Sequence, residues 1–109
     1  MTTLIKYGNI LKKKCPTDMP VKIRTVKMPY SNKSKILRDF GDSRYEDGYY
    51  LIRINNQDEL HIQKDTLLHE WAHCMAGWDG IHSSHSKEWG ICYAMVYRTM
   101  IEDLFKIPS

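Results

Sequence analysis

A chain of 109 residues, 42% hydrophobic and 11% aromatic, fits one domain with a modest core, and a single domain over residues 1–109 is expected. No window approaches the roughly 18 consecutive apolar residues of a membrane span, and MTTLIKYGNILKKKC lacks the apolar run of a signal peptide, so a membrane partner is excluded and a cytoplasmic protein expected. The net charge of +3 is unevenly placed, with ten Lys/Arg against the single acid Asp18 in residues 1–38, which makes the basic N-terminal third a candidate nucleic-acid contact. A solvated lysine-rich face is the plainer account, because no aromatic residues interleave the Lys12–Lys14 run.

In chain order, Leu4, Ile5, Tyr7, Ile10 and Leu11 fall at helical spacing, weakened by Gly8 and ended by Pro16 and Pro20. Residues 21–28 alternate at Val21, Ile23 and Thr25 as a strand with one buried face does. The polar, turn-rich segment 31–48 reads as a loop with a short strand near residues 36–40. Residues 49–54, β-branched and aromatic between Asp47-Gly48 and Asn55-Asn56, read as a strand. A helix over residues 62–76 stacks Leu67, Leu68, Trp71 and Met75 on one side and stops at Gly77. A last helix over residues 86–105 carries the stripe Trp89, Cys92, Val96, Met100 and Leu104.

Within the 62–76 helix, His69, Glu70 and His73 spell H-E-x-x-H. Residues four apart lie about 6 Å along one helical face, so two imidazoles can reach one ion. Neutral imidazole suits Zn²⁺, whose catalytic sites pair three protein ligands with a water. Glu70, rotated about 100° from His69, can face that water without ligating the metal, and can carry its proton to a leaving amine. An amphipathic helix with exposed histidines is the bland alternative. The apolar stripe argues against it, since it anchors one side in the core and leaves His69 and His73 elsewhere.

A third ligand is needed. The compact spacing H-E-x-x-H-x-x-G-x-x-H would end at Asp79 but has Ala76 at its glycine; a distant glutamate ligand would be Glu88 or Glu102; His82 and His85 remain. Three cysteines at unpatterned spacings encode neither a disulfide framework nor a C-x-x-C ribbon, and Cys74 points about 100° away from His73, as a small buried hydrophobe. Trp71, Trp78 and Trp89 read as core and rim packing, and His61 as a surface residue.

TLLHEWAH followed by HSKEWG resembles the SprT-like zinc metallopeptidases, including short phage members, in which H-E-x-x-H precedes a segment of the type H-G-P-E-[FW]. His85, Glu88 and Trp89 match that segment; Ser86 and Lys87 stand where it has Gly-Pro, and His82 stays an alternative ligand. The resemblance covers about residues 51–97. It implies Zn²⁺ on His69, His73 and His85, with Glu70 as catalytic acid/base in a zinc-bound-water peptidase.

The expectation is an α+β minimal zincin: an N-terminal helix, about three strands, the metal-bearing helix and a C-terminal helix. A polypeptide substrate is expected along residues 49–55 at a free sheet edge, with His82, Tyr93 or Tyr97 as candidate oxyanion donors. The alternative function is a catalytically silent, zinc-stabilised binding module, DNA-associated through the basic third.

Overall fold

The structure, a computed structural model, describes residues 2–27, 40–77 and 87–102. In chain order these form α1 (Thr2–Lys14), β1 (Val21–Val26), β2 (Gly41–Glu46), β3 (Tyr49–Asn55), α2 (Leu60–Met75) and α3 (Lys87–Glu102). Among the described residues the architecture is α+β, three helices with a three-stranded mixed sheet. Among the described residues no helix is long and apolar enough to cross a membrane.

Helix α1 buries Leu4, Tyr7 and Leu11, a stripe at helical spacing that buried Cys15 continues just past its end, and leaves Lys12, Lys13 and Lys14 exposed in its last turn. Cations suit that end, where the helix dipole is negative. Helix α2 begins at Leu60, two residues before the expected start, so that exposed His61 belongs to its first turn. It buries Leu67, Leu68 and Trp71 as the stripe requires, and ends where Gly77 adopts φ +78, a left-handed conformation costly for other residues. Helix α3 buries Val96 and Thr99, with Trp89, Cys92 and Met100 half-buried. Leu104, Trp78 and Ser86 lie outside the described residues.

Strand order is β1-β3-β2, with β3 parallel to β1 and antiparallel to β2. Tyr50, Ile52 and Ile54 turn into the core beside Val21, Ile23 and Thr25 on one flank and Tyr45, Ser43 and Gly41 on the other. The opposite face aligns Lys22, Leu51 and Arg44, then Arg24, Arg53 and Asp42.

Two expectations are corrected here. The stretch assigned to a loop contains β2, which starts just after Phe40, while residues 36–39 of the expected short strand lie outside the described residues. The strand expected to offer a free edge is central: both sides of β3 are already hydrogen-bonded to neighbours, so no peptide can add to it. Its near-continuous apolar run matches burial on both faces, with Tyr50, Ile52 and Ile54 on one and Leu51 on the other, and among the described residues the outer edges belong to β1 and β2.

Gly41 lets β2 lie close to α2. A Cβ there would stand 2.5 Å from the Arg53 carbonyl oxygen and 2.6 Å from Thr66 Cγ2, so only glycine fits without a backbone shift. That approach brings the rest of β2 against the helix that carries the H-E-x-x-H motif.

Candidate metal centre

The apolar side of α2 is committed to the core, with Trp71 fully buried and its indole N–H donating to the Cys15 carbonyl at 2.9 Å. This fixes the rotation of the helix about its axis. His69 and His73 then project together on the half-exposed side, their rings 5.1 Å apart at 64°. Between them in sequence, Glu70 is turned inward and is almost wholly buried.

The ligand atoms of His69, Glu70 and His73 all lie within 4.8 Å of one another. Two donors each about 2.1 Å from a tetrahedral ion sit about 3.4 Å apart, so side-chain adjustments of about 1 Å would bring the imidazoles onto one ion. The His69 and His73 imidazoles are borderline donors that suit Zn²⁺ and neighbouring divalent ions alike, and the Glu70 carboxylate lies within reach of the same point.

Glu70 is held from across the fold. Ser43 Oγ on β2 donates to Glu70 Oε1 at 2.8 Å, and Glu70 Oε2 stands 3.7 Å from His69 Nε2. Burying a carboxylate is costly without donors, and the Ser43 hydroxyl supplies one. Nothing in the polar run GDSRYE marks Ser43 as part of a strand beside the motif helix. The missed signal was Asp47-Gly48, a two-residue hairpin turn that implies a strand on both sides.

Helix α3 closes the other side. The Trp89 ring lies 5.1 Å from His69 and 5.6 Å from His73, and its indole N–H reaches the His69 carbonyl oxygen at 3.4 Å. Tyr93 stacks on Trp89 at 4.9 Å and 19°, and its ring is 6.3 Å from that of His69. Burial, with Asp65 and Tyr97 nearby, pushes the Tyr93 hydroxyl above its ordinary pKa, so it stays a proton donor. Tyr97 stands beyond Tyr93, ring to ring at 6.3 Å.

Cys74 faces the interior and is fully buried; burial first, then the Glu70 and Asp18 carboxylates, push its thiol up, so it is an uncharged hydrophobe rather than a thiolate ligand. The structure thus brings His69, Glu70 and His73 together and adds Ser43, Trp89 and Tyr93. His82, His85 and Asp79 lie outside the described residues; Glu88 and Glu102 are exposed on α3. No protein-family model, curated protein or solved structure matches the chain.

Proposed function

We propose that this chain is a zinc-dependent peptidase of the SprT-like kind, a minimal zincin in which His69, His73 and His85 hold Zn²⁺ and Glu70 is the general acid/base. The observation that carries the reading is the convergence of the His69, Glu70 and His73 donor atoms within 4.8 Å on a helix whose other face is locked in the core. A divalent ion there would polarise a carbonyl and lower the pKa of a water from ~15.7 toward ~7.

Glu70 takes the proton of the attacking water and gives it to the departing amide nitrogen as the C–N bond breaks. Ser43 holds Oε1, leaving Oε2 on the His69 side for that transfer. The Tyr93 hydroxyl, kept protonated, is the candidate donor to the developing oxyanion. An extended polypeptide would lie along the outer edge of β2. Because Phe40 O accepts from Asn55 N–H, the alternate residues Gly41, Ser43 and Tyr45 turn their backbone polar groups away from β3, beside Glu70.

The test is cleavage of an unfolded protein such as reduced casein by wild type and Glu70→Gln, with metal content measured on both. The variant is expected to keep its metal and fold while losing about 10²- to 10⁴-fold in rate. A wild type without Glu70-dependent cleavage would instead support a zinc-stabilised binding module.

A further inference from the structure

The side of the molecule formed by α1 and β1 has a surface of its own. Residues Ile5, Gly8, Asn9 and Lys12 of α1 face Val21 to Arg24 of β1 across a groove of about 340 Å³. A second hollow of about 390 Å³ adjoins this trough, with Lys12 and Val21 lining both; its one acid, Asp18, is engaged by the Tyr50 hydroxyl, which donates to Asp18 Oδ1 at 2.7 Å. The trough's floor is apolar: Ile5 is 49% exposed, and Gly8 has no side chain, a Cβ there coming within 2.7 Å of Ile23 Cδ1. Lys12, Lys22 and Arg24 line it and are all exposed, with Lys22 Nζ held 4.2 Å above the Tyr49 ring.

The trough runs along a strand edge. Pro20 O accepts from Tyr50 N–H at 2.8 Å and Val26 O from Asn56 N–H at 2.9 Å, so Lys22, Arg24 and Val26 direct their backbone groups toward β3. The alternate residues Val21, Ile23 and Thr25 direct theirs outward, and among the described residues no strand pairs with that edge. An open edge is a template for another strand, and cations flanking it select the sign of the incoming side chains.

We infer that the α1–β1 trough docks an extended acidic polypeptide, which adds as a fourth strand to the outer edge of β1 while its carboxylates meet Lys12, Lys22 and Arg24. A peptide fits better than a nucleic acid because the outward amides ask for backbone partners, and the described lining holds no aromatic ring on which a base could stack. The surface lies on the flank of the sheet away from β2 and does not depend on Glu70 or a metal.

The experiment is fluorescence anisotropy of a labelled octapeptide of alternating glutamate and valine with the full chain. Its lysine–valine counterpart and an oligothymidylate of equal charge are run beside it. The acidic peptide is expected to bind and the basic one not to bind, and the paired substitutions Lys22→Gln and Arg24→Gln are expected to weaken binding roughly tenfold. Thr25→Pro, which removes one outward N–H and spares the pairing with β3, is expected to weaken it about fivefold. Should that variant misfold by circular dichroism, amide exchange on wild type decides: saturating peptide slows exchange at Val21, Ile23 and Thr25. Equal binding of both peptides, unchanged exchange at those three amides, or tighter binding of oligothymidylate with indifference to Thr25→Pro would overturn the inference.

Discussion

A carboxylate one residue after His69 is carried about 100° round the helix, and in this fold that rotation points it at a strand rather than at solvent. Ser43 meets it there, donating to Glu70 Oε1. On the proposed peptidase reading the hydrogen bond sets which oxygen Glu70 presents, and Ser43→Ala is then expected to lower kcat roughly 3- to 10-fold, the worth of about 1 kcal/mol, with metal content unchanged. Ser43→Thr, which keeps a hydroxyl donor, should recover most of the rate; loss of metal in Ser43→Ala would mean that the serine shapes the ligand cluster instead. His69, Glu70 and His73 were legible because their relation is local, set by the helical repeat alone. Ser43 was not, since it lies 27 positions from Glu70 and reaches it only through the register of a hairpin.

The β2–β3 hairpin is the element least visible in the sequence and the one on which the site leans. GDSRYE carries polar residues on both faces, and its only inward side chains beyond Gly41 are Ser43 and Tyr45, so no hydrophobic alternation announces a strand. Its pairing is supported instead by Asp42, directly opposite Arg53 in the register and salt-bridged to both Arg53 and Arg44. Partial burial pushes the Asp42 carboxyl up, but the two guanidiniums outweigh it and hold the group below its ordinary value of 3.8. A carboxyl held lower in the folded than in the unfolded state adds stability above pH 3.8, and that contribution is lost as pH falls through the lower folded value. Asp42→Asn is therefore expected to cost about 0.5 kcal/mol at pH 7, small because the pair is well exposed, with the difference from wild type vanishing in strong acid. Urea unfolding at both pH values checks it. Gly41→Ala belongs to the same element and should cost more, about 1–3 kcal/mol, because its Cβ would press on the Arg53 carbonyl as well as on Thr66, and the backbone cannot swing aside.

Across the whole molecule, three helices meet at Cys15. The Trp71 indole N–H donates to the Cys15 carbonyl at 2.9 Å, and the Cys15 thiol lies 3.2 Å from Thr99 Oγ1, tying the end of α1 to α2 and α3. Spacing located Leu4, Tyr7 and Leu11 in α1, Leu67, Leu68 and Trp71 in α2 and Val96 in α3, but placed exposed Ile5 in a stripe and missed buried Thr99; nor could it show this junction, which joins residues 56 and 84 positions apart. Trp71→Phe leaves the Cys15 carbonyl without its indole donor and thins the core, so a loss of about 2 kcal/mol and a Tm lower by roughly 10 °C are expected by thermal denaturation. The junction also sets the rotation of α2 that turns His69 and His73 outward together beneath Trp89. That shared orientation is the central claim, and metal stoichiometry of the purified protein tests it most directly. Wild type should carry about one divalent ion per chain, lost in His69→Ala, His73→Ala and His85→Ala and kept in His82→Ala and Glu70→Gln. A wild type that binds no metal, or one that keeps its metal after His69 or His73 is removed, would contradict the account.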